Sequence, residues 1–277
     1  MKILLTGRGG QVGLELEQRL PRLGELVVTG PEELDLADAG SMRRALRDIK
    51  PALIVNAAAH TAVDRAESEP ELALRINGEA PGVLAEEARR LGARLVHYST
   101  DYVFDGSKRT PYVEDDAPRP LGVYGRTKLE GEKRVRASGC RHLILRTAWV
   151  YGRGRNFMAA VLERARSGAA LRVVNDQFGA PTWAADLADA TVRMLELEGT
   201  YHVTAAGQTN WFEVAQQLLK LSGLSARIQG VTTEEYGAKA PRPRYSVLDN
   251  GKLRAAGIEP IGDWRQRLAL YLQSEAG

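Results

Sequence analysis

KILLTGRGGQVG, residues 2–13, runs a short apolar segment straight into a series of glycines at Gly7, Gly10 and Gly13. Val12, Leu16 and Leu20 follow at helical spacing, and Glu15 and Arg19 form a favourable i,i+4 pair on that helix. A strand that passes through a glycine turn into a helix is the opening unit of a dinucleotide-binding βαβ fold. The glycines let the turn close tightly and let backbone N–H groups approach a pyrophosphate, whose charge the helix N-terminus favours.

Outward from this unit, apolar runs at 25–29, 52–56, 94–98 and 142–146 read as further strands. Helical patterns lie between them at 41–49, with Ser41 as N-cap, at 68–91, and at 121–137, stopped by Gly139. The alternation predicts an α/β fold, a Rossmann-like doubly wound parallel sheet whose ligands collect at the carboxyl ends of the strands. After residue 150 the rhythm loosens, with Gly179, Pro181, Gly207, Pro241 and Pro243 punctuating shorter elements. This predicts a dinucleotide domain over 1–150, with a later return at about 183–200, and a smaller discontinuous substrate-binding cap from 151–182 and 201–277.

Composition narrows the function. At 277 residues and 44% hydrophobic the chain buries a full core. Its net charge is only +3, and the basic residues are interspersed with nearly as many acids, with neither a basic tail nor an aromatic RNA-binding signature. Nucleic acid is therefore not an expected partner. The single Cys140 excludes an internal disulfide and, beside the apolar run 143–145, reads as a buried structural thiol. No charged n-region with an apolar h-region opens the chain, and no apolar run reaches membrane-spanning length, so the expectation is a cytoplasmic protein with no membrane partner.

The chemistry centres on Tyr124 and Lys128, the one Tyr-x-x-x-Lys in the sequence. At the start of a predicted helix, four-residue spacing puts both on one face. A lysine ammonium beside a phenol favours the tyrosinate and lowers a pKa that is ordinarily near ~10, which suits proton exchange with a substrate. The same ammonium can hold ribose hydroxyls. Such a site also wants a hydroxyl on the reacting carbonyl, and Ser99 or Thr100, past the fourth strand, can supply it. Side chains alternate along a strand, so only one of the two should face the cleft. At the end of the second strand Thr29-Gly30-Pro31 offers no carboxylate to hold a ribose 2′-hydroxyl, while Arg8 can attract a 2′-phosphate. That favours NADPH, with NADH use left open, and makes Asp35 and Leu36 candidate adenine contacts.

These stretches, together with 56–67 (NAAAHTAVDRAE), 98–106 (YSTDYVFDG), 124–132 (YGRTKLEGE), 146–152 (RTAWVYG) and 176–182 (DQFGAPT), resemble the extended short-chain dehydrogenase/reductases, in particular a branch that makes dTDP-linked deoxysugars. The match covers most of the chain in the family's order. The resemblance implies Thr100, Tyr124 and Lys128 as the catalytic set. It also implies Gly7, Arg8, Gly10, Gln11 and Val12 at the pyrophosphate, Asp35 and Leu36 at the adenine, and Ala57, Ala58, Ala59 and His60 along the cofactor. Tyr102 and Trp149 would contact the sugar, with Asp101 also at the substrate, Asn156, Gln177 and Thr182 would lie nearer the nucleotide-sugar, and Arg242 would meet a phosphate of the substrate. The implied reaction is NADPH-dependent reduction of the C4 ketone of dTDP-4-dehydro-β-L-rhamnose. His60 and Trp149 also have plain structural readings, and Trp183 and Trp211, outside the motifs, read as core or interface residues. A homodimer bridged by Mg²⁺ near Glu15 is compatible with the resemblance, although magnesium leaves no readable sequence signature. Two other functions stay open on the same frame: a nucleotide-sugar epimerase or dehydratase that retains NAD, and an NADP-binding regulatory subunit like that of methionine adenosyltransferase.

Overall fold

Ile3 and Leu5 of the first strand join the core on one side of a sheet while Leu4, between them, joins the core on the other, and all three are fully buried. Both faces are therefore covered, as a parallel sheet requires. The computed structural model describes residues 1–276. In order, the chain forms β1 (Lys2–Thr6), α1 (Gln11–Arg19), β2 (Glu25–Thr29), α2 (Ala39–Ile49), β3 (Leu53–Asn56), two short helices α3 (Val63–Ala66) and α4 (Pro70–Leu74), α5 (Ala80–Leu91), β4 (Arg94–Thr100), α6 (Val123–Ser138) and β5 (Arg141–Thr147). There follow β6 (Val150–Tyr151), α7 (Phe157–Arg166), β7 (Leu171–Val174), β8 (Phe178–Gly179), β9 (Thr182–Trp183), α8 (Ala184–Arg193) and β10 (Gly199–His202). The central sheet has the order β10-β5-β4-β3-β1-β2, with all its pairs parallel. From β1 the chain goes first to β2 on one side and then to β3 on the other, so a crevice opens above β1 and β3.

β10 extends the central sheet beside β5, and α8 packs on α1, where Arg19 meets Asp189 at 2.5 Å. The rest of the C-terminal half holds four two-stranded sheets among the described residues: β6 with β9, β7 with Ile228–Val231, β8 with Thr209–Asn210, and Ala205–Ala206 with Ile261–Asp263. No helix among the described residues is long and apolar enough to cross a membrane. Cys140 is buried, and burial pushes its thiol up.

Three local departures from the sequence reading have clear causes. The pattern at 68–91 is not one helix: Pro70 starts α4, and Arg75–Glu79 is a π-turn closed by the Ala80 N–H on the Arg75 carbonyl. Pro81 has no N–H for the Asn77 carbonyl, so the wider turn absorbs the missing bond. The N-cap of α2 is Asp38, whose carboxylate accepts from the Ser41 N–H at 3.0 Å, and Ser41 lies inside the helix. β4 runs on to Thr100, paired with Thr147 of β5, which carries Ser99 and Thr100 into the sheet edge.

Candidate active site

The crevice above β1 and β3 is a cleft of about 810 Å³, within the range of small-molecule sites. Gly7 sits at φ +93, and a Cβ there would lie 2.9 Å from the Ala57 carbonyl carbon, so only glycine lets the turn touch the end of β3. A Cβ at Gly13 would lie 2.1 Å from the Gly7 carbonyl oxygen. The N-cap of α1 is Gly10, which brings no side chain to the first-turn N–H groups. Those donors are left for an anion. Gly7, Arg8, Gly10, Gln11, Val12, Asp35, Leu36, Ala57, Ala58 and Ala59 all lie on the wall of this one cleft. A pyrophosphate-bearing dinucleotide fits such a cradle.

The end of β2 is not free of carboxylates. Glu33, four residues past the strand, turns back so that one oxygen accepts the Gly30 N–H at 2.8 Å and the other meets the Arg8 guanidinium. Arg8 also donates to the Val28 carbonyl. The Gly30 N–H, with Arg8 beside it, outweighs burial and lowers the Glu33 carboxyl below its usual range. The guanidinium expected to stand open for a 2′-phosphate is thus paired.

Tyr124 and Lys128 enter from the first turns of α6, with Thr100 opposite at the end of β4, and all three line the cleft with Asp101. Ser99 and Thr100 both border the cleft, where one was expected, but their hydroxyls point to different partners. The Ser99 hydroxyl donates to the buried Glu132 at 2.6 Å, while the Thr100 hydroxyl donates to Asp101 at 3.0 Å and sits against the Tyr124 phenol. Burial pushes Tyr124 up to about 12, only partly offset by the Thr100 hydroxyl. Lys128 does not acidify it here: its Nζ donates to the Tyr98 carbonyl at 2.5 Å. Burial lowers Lys128 from 10.5 to about 8, with Glu132 opposing. Burial likewise raises Asp101 to about 6, against hydrogen bonds from Ser246 and Thr100. The phenol is therefore a neutral proton donor at pH 7.

Towards the C-terminal half, Trp149 lines the cleft in the left-handed region, φ 48, unusual for so large a side chain. Its ring stacks on Trp211 at 3.9 Å, so Trp211 supports the site wall, which its sequence surroundings did not indicate. Gly179 makes room: a Cβ there would lie 2.5 Å from the Trp149 ring. Gly179→Ala is expected to displace the indole and cost about 1–3 kcal/mol, read as a lower urea midpoint at unchanged m-value. Tyr102 packs edge-on against Tyr124, with ring centroids 5.6 Å apart.

The remaining candidates stand off the cleft wall. Asn156 caps α7, accepting from the Ala159 N–H at 3.1 Å. Gln177 donates to Thr233 at 3.0 Å, and Thr182 is fully buried, bonded to the Ala180 carbonyl and the Ala205 N–H. Arg242 is held by Asp64 at 2.7 Å and by Tyr102. The backbone N–H of His60 is clamped by the Asn77 side chain at 2.8 Å, and its Nε2 lies 3.5 Å from Glu69. Glu15 is engaged by Arg19 at 2.8 Å, and among the described residues no group of three or more His, Cys, Asp or Glu could hold a metal ion. Arg153 and Arg155, which carry no motif, do line the cleft.

A Rossmann-like parallel sheet carrying a glycine cradle and a Thr/Tyr/Lys set over one cleft defines an oxidoreductase of the short-chain dehydrogenase/reductase type. The chain belongs to the family described as RmlD substrate binding domain, whose model matches residues 1–276. It is 43% identical to a dTDP-4-dehydrorhamnose reductase of Burkholderia thailandensis, over 99% of this chain and 98% of that one. A crystal structure of a dTDP-4-dehydrorhamnose reductase from Clostridium acetobutylicum superposes with TM-score 0.97 at 38% identity, covering 100% of both chains. One from Bacillus anthracis, solved in complex with NADP, superposes with TM-score 0.95 at 33% identity and 99% coverage of each.

Proposed function

We propose that the chain reduces the C4 ketone of dTDP-4-dehydro-β-L-rhamnose to dTDP-L-rhamnose, with NADPH as the reductant. One juxtaposition carries this reading: Thr100, Tyr124 and Lys128 stand on the same cleft wall as the glycine cradle. The similarity, over nearly the full length, to enzymes named for that reduction supplies the substrate. In this reading residues 1–150, with 183–200, hold the dinucleotide, and 151–182 with 201–277 cover the sugar.

The cofactor, when bound, supplies hydride to the sugar carbon. The chain's own residues do the rest. First-turn N–H groups of α1 receive the pyrophosphate, and Asp35 and Leu36 border the adenine. Tyr124 gives its proton to the C4 oxygen, and the Thr100 hydroxyl turns from Asp101 to donate to the same oxygen, polarising the carbonyl. Lys128 swings from the Tyr98 carbonyl to ribose hydroxyls and keeps positive charge beside the phenol as it becomes phenolate. Asp101, Tyr102 and Trp149 border the sugar, while Asn156, Gln177, Thr182 and Arg242 hold the shape of the part that covers it.

The test is oxidation of NADPH, followed at about 340 nm, with dTDP-4-dehydro-6-deoxyglucose and a 3,5-epimerase supplying the substrate. Rapid oxidation is expected. None with NADPH or NADH, despite measurable cofactor binding, would sink the reading. The pH profile is a second check. Burial lowers Lys128 to about 8, so its charge is nearly complete at pH 7, half lost at about pH 8 and lost above it. kcat/KM should be level up to about pH 7, fall to half near pH 8 and decline beyond it, and a rate that rises through pH 8–10 would remove Lys128 from its role.

A further inference from the structure

The Arg8–Glu33 pair stands where a dinucleotide's adenosine ribose comes to rest in this class of fold, beyond the ends of β1 and β2. Arg8 and Gly30 are on the cleft wall, and the Arg8 N–H donates to the Thr29 carbonyl at 3.1 Å, which fixes the turn against β2. Glu33 is anchored independently of Arg8 through the Gly30 N–H at 2.8 Å, so its carboxylate stays in place whether or not the guanidinium leaves. Asp35, the carboxylate of this segment that lines the cleft, is spent within its own turn on the Ala37 N–H at 2.8 Å. Both members of the pair are half-exposed, at 48% and 43%, and so within reach of a ligand.

A ribose 2′-hydroxyl and a ribose 2′-phosphate make opposite demands on this pair. The hydroxyl can donate to Glu33 while Arg8 stays where it is. The phosphate needs the Arg8 fork, which Glu33 already holds, and it brings negative charge against a fixed carboxylate. We infer that Glu33 is a specificity-determining residue that competes with a 2′-phosphate for Arg8 and so lowers the site's preference for NADPH over NADH. The inference rests on the proposed occupancy of the cleft by a dinucleotide.

Titration of the intact protein with NADPH and with NADH, read by nicotinamide fluorescence, tests it without turnover. Glu33→Gln keeps an oxygen for the Gly30 N–H and removes the charge. It should raise the NADPH-to-NADH affinity ratio by about fivefold. Arg8→Ala should lower that ratio by about tenfold or more, chiefly through NADPH, since a charged hydrogen bond is lost. In the Arg8→Ala background the further change Glu33→Gln should raise the ratio by less than it does in the wild type, because the residue competed for has gone. An unchanged ratio in Glu33→Gln, or the same shift in both backgrounds, would overturn the competition while leaving the dinucleotide reading standing. Wild-type protein that binds neither dinucleotide would overturn both.

Discussion

Tyr124→Phe is expected to lower kcat by about 10²–10⁴ while the Kd for NADPH stays within about twofold. The ring that Phe retains makes the edge-on contact with Tyr102, so the cleft wall keeps its shape. What disappears is the phenolic proton. That proton is held at pH 7 because burial pushes Tyr124 up to about 12, a setting that suits a donor in the reducing direction. Thr100 cannot replace it, since its aliphatic hydroxyl is far less acidic than a phenol and can polarise the carbonyl without giving up its proton. Single-turnover reduction beside cofactor titration separates the two effects. An unaltered turnover rate would show that the proton comes from elsewhere, and a loss of NADPH affinity equal to the loss of rate would make Tyr124 a binding residue.

Much of this site is legible in the sequence because local rules govern it. Strand, glycine turn and helix at residues 2–19 have one compatible arrangement, and Tyr124 and Lys128 share a helix face by spacing alone. Alternation along β4 separates the partners of the Ser99 and Thr100 hydroxyls, although both residues border the cleft. Where long-range packing decides, the sequence is silent. Glu33 reaches Arg8 only because a turn at 31–33 folds back over Gly30, a bond between residues 25 apart with no periodic signal. Trp211 meets Trp149 because the latter takes a left-handed backbone that Gly179 accommodates from another strand. The lysine expected beside the phenol is bonded elsewhere for a related reason: a buried ammonium takes the nearest carbonyl, and that belongs to Tyr98. The broken helix at 68–91 did carry a local signal, Pro70 and Pro81, and the alanines and glutamates around them masked it.

Glu132→Ala is expected to produce the largest loss of stability. Its carboxylate is fully buried and accepts from Arg146 at 2.9 and 2.8 Å, from Arg136 at 3.0 Å and from Ser99 at 2.6 Å. Burial pushes this carboxyl up, and Arg146, Ser99 and Arg136 together outweigh burial, holding it below the usual range. Removing it strands a guanidinium that is itself only 2% exposed, a change that typically costs about 3–5 kcal/mol. Calorimetry should show a midpoint lower by about 10 °C. The penalty comes from the orphaned charge and not from lost attraction, so adding Arg146→Met to Glu132→Leu should recover much of it. A double variant no more stable than Glu132→Leu would contradict that account. Glu132→Gln separates the network's electrical effect from its packing. Glu132 is the charge that opposes the lowering of Lys128, so neutralising it should move the alkaline fall in kcat/KM to lower pH. A stability loss with an unmoved pH profile would confine Glu132 to the core; a shifted profile would make it the residue that keeps Lys128 charged where the reaction needs it.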